Sequence, residues 1–169
     1  PPGILHTVVG TCVVVCLWDR AQRRGGLCHY QLPKQPHTGP RGLASIGSHN
    51  EFGSEAIVSL LRMFKQKGSL PTALEARIVG GGEIEHGEMM CAQEIGKRNI
   101  AMAEQTLSQF DIQVTGKAVG GGHGRKLRFN TATGELQFQD VKTLDEERTD
   151  PETASRFAAV QETPSVTGA

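Results

Sequence analysis

Two apolar runs near the start of the chain form its first predicted structural unit. The first, residues 8–18, reads VVGTCVVVCLW, and the second, residues 27–32, reads LCHYQL. Both are short and rich in Val and aromatic residues, and the polar, glycine-containing segment 19–26 separates them, which is typical of an antiparallel pair of strands. We expect this pairing to bring the thiols of the two runs close to His29.

Two later segments have the apolar spacing of amphipathic helices. The first runs from Ser54 to Lys67, with Ser54 placed to cap its start and Gly68 its end. The second lies near Ile95 to Phe110. The apolar positions of the two predicted faces are Ala56, Ile57, Leu60, Leu61 and Phe64 in the first helix, and Ile100, Ala103, Leu107 and Phe110 in the second.

Four further segments resemble short strands. They are Leu74–Val79, Ile112–Val119, Lys126–Asn130 and Leu136–Val141, the last two joined by a turn at residues 132–134. Two helices among many strands predict an α+β fold. The glycine triplets 80–82 and 120–122 lack the spacing of phosphate-binding loops, and we expect them to allow close backbone approach at strand ends.

The remaining segments are predicted to be irregular. Residues 33–53 carry Pro, Gly, His and Ser without a hydrophobic period, which indicates a long loop. From about residue 144 the chain has too few apolar groups to offset the entropy of ordering. We therefore expect one folded domain, residues 1–143, and a mobile tail, residues 144–169, within which Pro151 is suited to begin a short helix over residues 151–161.

Composition excludes several functional classes. The 169 residues are 37% hydrophobic and 21% charged with zero formal net charge, so nothing in the charge indicates nucleic acid or an anionic membrane as partner. Four cysteines are too few for a disulfide scaffold in a chain of this length. Their crowding near one end favours free thiols or a metal in a reducing compartment, which predicts a cytoplasmic protein without membrane insertion.

The thiols are candidate nucleophiles, because a cysteine becomes reactive when a histidine removes its proton and N–H donors receive the oxyanion. Cys12 follows Gly10 and Thr11, where a glycine allows the sharp turn that exposes such donors. A regular hairpin with Trp18 opposite Leu27, however, places Cys16 across from His29. Spacing therefore leaves Cys12 and Cys16 both open as partners of His29, and on spacing alone it favours Cys16.

Two interpretations in which the thiols are not catalytic compete with this one. Free cysteines in a Val-rich strand are usually small buried hydrophobes. Cys28 and His29 are neighbours on a strand and face opposite ways, so only one of them can share a site with Cys12. The set Cys12, Cys16, Cys28 and His29 offers zinc-binding atoms, but the two cysteines of the first run lie on a strand rather than on the turns typical of structural zinc sites.

Five sequence blocks together resemble the CheD-type chemoreceptor glutamine deamidases, from about Leu5 to Val141. The blocks are GTCVVVCLWD, GGLCHYQLP, LEARIVGGG, IGKRNI and GGHGRKLRF. The resemblance implies that Cys12 is the nucleophile and that His29, seventeen residues later, is its base. It also implies packed mixed β-sheets with two main helices outside, similar to the cytotoxic necrotizing factor-type cysteine hydrolases.

The resemblance leaves the third catalytic group open. The family has a threonine six residues before the nucleophile, where this chain has His6, and Thr7 lies beside it. Either His6 takes the orienting role, or Thr7 takes it after a small shift of register, or the activity is reduced. Gly10 and Thr11 belong to the segment expected to receive the oxyanion.

The implied function is a protein-glutamine deamidase that needs neither cofactor nor metal. Its expected substrates are glutamine side chains of methyl-accepting chemotaxis receptors, converted to glutamate through a Cys12 thioester. The family also binds CheC-type phosphatases, and the alternative is a mainly non-catalytic regulator of such a phosphatase and of receptors.

Overall fold

The computed structural model describes residues 2–33, 52–83, 91–141 and 158–159, with the backbone alone described at 91–93 and 158–159. The strands are β1 (Ile4–Val9), β2 (Val13–Asp19), β3 (Arg24–Tyr30), β4 (Leu74–Gly80), β5 (Gln113–Val119), β6 (Gly124–Asn130), β7 (Leu136–Val141) and β8 (Ala158–Ala159). The helices are α1 (Gly53–Gln66) and α2 (Cys91–Gln109), and a short 3₁₀ turn, Pro71–Ala73, precedes β4.

The described strands form two four-stranded sheets. The first has the order β1-β6-β7-β8 and is antiparallel throughout, and the second has the order β3-β2-β4-β5, in which only the β4–β5 pair is parallel. The predicted α+β class with packed sheets and two helices is confirmed. The likeness to the cytotoxic necrotizing factor-type fold stays a prediction.

Strand β2 lies at the centre of the molecule, and its two faces supply two cores. Val13, Val15 and Leu17 pack with the apolar faces of α1 and α2. Val14 and Cys16 point the other way and pack with residues of the first sheet such as Leu127. A strand buried on both faces reads as an uninterrupted apolar run, which is why β2 shows no alternation in the sequence.

The first apolar run is not one strand, so the predicted strand pair is wrong in its extent. Its beginning belongs to β1 in the first sheet, and its remainder forms β2 in the second sheet. The bend at residues 10–12 carries the chain from one sheet to the other. Gly10 predicts the turn itself, but the sequence does not mark the change of sheet, because residues on both sides of the bend are equally apolar.

The predicted hairpin register is also wrong. Trp18 pairs with Gly25 rather than Leu27, and His29 lies opposite Val14 rather than Cys16. Strand β3 begins at Arg24 and includes two glycines that resemble a turn. These glycines lie under aromatic rings: a Cβ on Gly25 would be 2.8 Å from the Phe129 ring, and one on Gly26 would be 3.1 Å from the Phe64 ring.

The helix predictions are confirmed in position and corrected at their ends. All five predicted apolar positions of α1 are buried. Ser54 does not cap the helix: the N-cap residue is Phe52, and the Ser54 hydroxyl contacts Glu55 at 2.9 Å. Gly68 ends the helix as predicted, at φ +83°. In α2, Ala103 and Leu107 are fully buried, but Phe110 lies beyond the helix and is 43% exposed.

The later strands follow the predictions closely. Strand β7 has the predicted bounds, and β4, β5 and β6 differ from theirs by one or two residues at one end. Strand β6 begins earlier, at Gly124, because its backbone continues the pairing with β7 up to Val141.

Several predictions fall outside the described residues. Most of the predicted loop, residues 34–51, lies there, as does nearly all of the predicted tail from residue 144. Ala158–Ala159 form a strand that pairs with β7, so the predicted helix over 151–161 is wrong at these two residues. The division into a domain, 1–143, and a tail, 144–169, stays a prediction. Neither described helix is long and apolar enough to cross a membrane.

Candidate active site

The bend between β1 and β2 holds Cys12 at a junction of the two sheets. Gly10, Thr11 and Cys12 follow the last residue of β1 and precede the first residue of β2. Cys12 is partly exposed, whereas Val13 directly after it is fully buried. The thiol therefore lies where the apolar core opens to solvent.

The carbonyl groups of the bend are all held by the surrounding scaffold. Gly10 O accepts from Gly82 N at 2.8 Å, and Cys12 O accepts from Gly81 N at 2.7 Å. Thr11 O accepts from the side-chain amide of Asn99 at 3.0 Å. Within the described residues, the N–H groups of the bend donate to no other backbone carbonyl. A segment whose carbonyls are anchored and whose N–H groups are not bonded to backbone carbonyls is suited to receive an anion.

The glycine triplet 80–82 makes this close backbone approach feasible. A Cβ on Gly80, which has φ +112°, would lie 2.2 Å from Cys12 O, and a Cβ on Gly82 would lie 3.3 Å from Gly10 O. Gly120 N donates to Gly80 O at 3.0 Å, so the second glycine segment supports the first. The predicted close backbone approach is confirmed for residues 80–82. It is not found at residues 120–122, where an added Cβ on Gly120 or Gly122 would meet nothing within 4 Å and Gly120 is used for its φ of +70°.

His29 is anchored across the gap between the sheets. Its Nδ1 lies 3.2 Å from the Oγ1 atom of Thr7 on β1. Thr7 and Val9 point from β1 toward the second sheet. Because side chains alternate along a strand, His6 points to the opposite face, where it is exposed. Of the two residues that the sequence leaves open, Thr7 contacts His29 and His6 does not.

The β2–β3 register brings the bend that carries Cys12 toward the end of β3 that carries His29. Val13 pairs with Tyr30 and Val14 with His29, and the register continued by one residue would place Cys12 opposite Gln31, diagonal to His29. Asn99 bridges Thr11 O and Gln31 O at 3.0 and 2.8 Å, which holds the two segments together beyond the paired strands. Diagonal partners in an antiparallel pair are separated by about 7–8 Å between Cα atoms, within reach of an imidazole and a thiol.

A family model described as CheD chemotactic sensory transduction matches residues 32–140, more than half of the chain. The chain belongs to the CheD family. This confirms the resemblance that the five sequence blocks carry. The matched range begins after His29, so it does not include the two residues, Cys12 and His29, to which the resemblance assigns catalysis.

Relatives agree with this assignment. Probable chemoreceptor glutamine deamidases of Dechloromonas aromatica and Geobacter sulfurreducens are each 33% identical to the chain, covering 78% and 80% of it and 75% and 78% of their own lengths. A probable chemoreceptor glutamine deamidase of Trichlorobacter lovleyi is 37% identical, covering 79% of the chain and 83% of its own length.

The ionisation of the pair in this CheD protein is governed by burial. Burial raises the pKa of the Cys12 thiol, and the residue's own N–H and the Thr11 side chain oppose that shift. Burial lowers the pKa of His29. His29 Nε2 is buried and has no hydrogen-bond partner among the described residues. Both shifts favour a neutral thiol beside a neutral imidazole before substrate binds.

The other described thiols of this CheD protein are poorly suited to the same chemistry. Cys16 is buried between the sheets, opposite Leu27, and burial raises its pKa. Cys28 packs on the helix side of the second sheet, and burial raises its pKa to about 12. The proposed zinc set is thus divided between two faces of one sheet. The described residues contain no group of His, Cys, Asp or Glu arranged to hold a metal ion.

One buried polar residue of the site was not singled out from the sequence. Asn99 lies in the IGKRNI block of α2 and is fully buried. It shares the helix face of Ala103, four residues later, so an amide within an apolar face was the available signal. Its two acceptors lie 88 and 68 residues away along the chain, a relation that no local pattern encodes.

Proposed function

We propose that this chain is a protein-glutamine deamidase that converts glutamine side chains of chemotaxis receptors to glutamate in the cytoplasm. The observation that carries the proposal is the contact between Thr7 and His29, 3.2 Å long, beside the bend that presents Cys12. The names of the relatives support the substrate class, since they are described as chemoreceptor glutamine deamidases. The chemistry below needs neither metal nor cofactor.

In this proposal Thr7 selects the tautomer of His29. When the Thr7 hydroxyl oxygen accepts from Nδ1–H, the lone pair of the neutral ring is on Nε2. That atom is buried and without a partner among the described residues, so it is available to the Cys12 thiol once substrate closes the site. Hydrogen bonds of catalytic pairs commonly shorten when substrate binds.

Acylation begins when Cys12 Sγ attacks the side-chain amide carbon of a glutamine. The thiol proton moves to His29 Nε2, the S–C bond forms, and the carbonyl electrons move to oxygen. The N–H groups of Thr11 and Cys12 stabilise the oxyanion. The intermediate collapses as the C–N bond breaks, and the imidazolium gives its proton to the leaving nitrogen, which departs as ammonia.

Hydrolysis of the thioester completes the reaction. His29 Nε2 removes a proton from water while the water oxygen attacks the thioester carbon. The same N–H groups stabilise the second oxyanion, and the C–S bond then breaks. The proton returns from the imidazolium to Cys12, and the product is glutamate. Cleavage through a thioester divides one difficult hydrolysis into two easier steps.

The decisive experiment uses a receptor cytoplasmic fragment and peptide mass spectrometry. Wild-type protein is expected to convert specific glutamines to glutamates, and Cys12→Ala is expected to leave them unchanged. Cys28→Ala is the matched control, because it removes a thiol from the opposite face of the same sheet. Equal glutamine content after incubation with wild type and with Cys12→Ala would overturn the proposal.

The same experiment addresses the regulatory alternative. No contact among the described residues bears on a CheC-type phosphatase, and binding to one stays a prediction. If wild type left receptor glutamines intact while both wild type and Cys12→Ser altered the activity of that phosphatase, the chain would be a binding regulator. Deamidation that depends on Cys12 would instead establish the enzyme.

A further inference from the structure

Asn99 places a polar amide in the apolar core. It is fully buried, on the face of α2 that also carries Ala103 and Leu107. Burying an amide is costly unless its groups form hydrogen bonds. Both hydrogens of Nδ2 are used, and both are directed to the segments that carry Cys12 and His29. The other polar atom of the amide, Oδ1, is buried and has no hydrogen-bond partner among the described residues.

One of these hydrogen bonds holds the peptide unit that contains the candidate oxyanion donor. Nδ2 donates to Thr11 O at 3.0 Å. Thr11 C=O and Cys12 N–H belong to one planar trans peptide and point in opposite directions. Fixing the carbonyl on the protein side therefore fixes the Cys12 N–H on the other side, and polarisation through the peptide strengthens that N–H as a donor.

The second hydrogen bond holds the strand of His29. Nδ2 donates to Gln31 O at 2.8 Å, directly after β3. The amide group thus spans the gap between the nucleophile bend and the strand of the base. Because both acceptors are carbonyl oxygens, the amide atom that faces them is the nitrogen.

The part of α2 that carries Asn99 is itself anchored. The Tyr30 hydroxyl donates to Asn99 O at 2.6 Å. One turn earlier, Gly96 touches the glycine triplet: a Cβ there would lie 2.6 Å from Gly81 O. An amide on a helix held at two points is a stable reference for the bend.

From these contacts we infer that Asn99 is a positioning residue. Its hydrogen bond to Thr11 O orients the Thr11–Cys12 peptide so that the Cys12 N–H points toward the developing oxyanion. The inference rests on the proposed deamidase function. It adds a residue of α2 to a site otherwise built from β1, the bend at residues 10–12 and β3. Asn99 does not touch the substrate in this arrangement.

The primary test compares Asn99→Asp with wild type on the full chain. Asp is nearly isosteric with Asn but presents an oxygen, not an N–H donor, to the two carbonyls, so both hydrogen bonds are lost. With a receptor fragment, kcat is expected to fall about 100-fold with KM little changed, the size of effect seen when one oxyanion donor is lost. Asn99→Ser, which donates at most one hydrogen bond, is expected to lie between the two and serves if the Asp variant does not fold.

A second readout separates oxyanion positioning from general loosening. A peptide with glutamate γ-semialdehyde in place of glutamine adds to Cys12 as a tetrahedral hemithioacetal, which needs the donor, whereas alkylation by iodoacetamide does not. Asn99→Asp should weaken aldehyde binding about 100-fold and alter the alkylation rate of Cys12 by about twofold at most. Leu107→Val, which loosens the packing of the same helix two turns further along without changing the Asn99 hydrogen bonds, should lower Tm and leave aldehyde binding unchanged.

The outcomes are distinct. If wild type does not deamidate receptors, the proposed function fails, and aldehyde affinity still decides the role of Asn99. If folded Asn99→Asp binds the aldehyde as wild type does, the inference is wrong. It is also wrong if aldehyde binding and alkylation fall in parallel, because that result describes a residue needed only for the fold.

Discussion

Thr7 Oγ1 and His29 Nδ1 meet at 3.2 Å across the gap between two sheets that exchange no strands. Thr7 lies on β1 and His29 on β3, and each strand is at the edge of its sheet as described. The contact therefore joins the two sheets along one pair of edges. Side-chain alternation along β1 directs Thr7 into this gap and His6 away from it. The catalytic geometry proposed above thus depends on the register of a strand in the opposite sheet.

Substitution at these two positions is expected to separate their roles. Thr7→Val removes the oxygen that holds Nδ1–H, so the ring is free to adopt the other tautomer, and kcat/KM should fall about 10- to 100-fold. Thr7→Ser keeps the oxygen and should retain most activity. His6→Ala should change kcat/KM little, because His6 is exposed on the outer face. Receptor deamidation rates decide the matter, and a larger loss in His6→Ala than in Thr7→Val would contradict the assignment.

The pH profile of kcat/KM is expected to have one acidic limb. The base must be neutral, and burial lowers the pKa of His29 from 6.5, so activity should fall only as the pH drops below that value. Burial raises the pKa of Cys12 above 9.0, so a plateau should extend over about pH 7 to 9. An alkaline limb near neutrality would instead indicate a thiolate–imidazolium pair.

The same shift predicts how stability depends on pH. The unfolded chain protonates His29 at a higher pH than the folded protein, so below pH 6.5 the unfolded state binds more protons. The free energy of unfolding should therefore decrease as the pH falls from 6.5 through the folded-state pKa of His29. Denaturant titrations of wild type and His29→Asn over this range measure it, and equal pH slopes for the two proteins would contradict it.

The three described thiols should differ in their reaction with iodoacetamide. Cys12 is partly exposed, while burial raises the pKa of Cys16 and Cys28 and shields them from reagent. Cys12 is expected to label first, at a rate that rises steeply toward alkaline pH because its own pKa is raised. Peptide mapping at several pH values tests this order. Labelling of Cys28 before Cys12 in folded protein would contradict it.

The sequence pattern predicted those helices and strands that depend on residues close together in the chain. The face of α1 was predicted because its five apolar residues pack on one side at helical spacing, and the bounds of β7 because a turn and an alternating segment define them. Sheet membership was not predictable in this way. Residues 8–18 are apolar on both sides of the bend, so only the pairing with β6 before the bend and with β3 and β4 after it determines which part joins which sheet.

Non-local packing also explains the wrong register and the missed residue. Gly25 and Gly26 resemble a turn, yet they form a strand because rings of Phe129 and Phe64, distant in sequence, lie over them. That change of register moved His29 from Cys16 to Val14, two residues after Cys12. Asn99 was missed for the same reason, since its acceptors lie in another part of the chain.

Gly80→Ala is expected to displace the nucleophile bend. Gly80 has φ +112°, and an added Cβ would lie 2.2 Å from Cys12 O, a backbone atom that cannot yield without moving the bend. Gly120→Ala is the matched control: Gly120 has φ +70°, but nothing lies within 4 Å of its added Cβ, so the variant suffers backbone strain alone, about 1–2 kcal/mol. Gly80→Ala should lose more stability than this control and lower kcat/KM at least about 10-fold, since small misplacements of catalytic groups are costly. Chemical denaturation and receptor deamidation measure the two effects, and equal activity in the two folded variants would show that contact with Gly80 does not position Cys12.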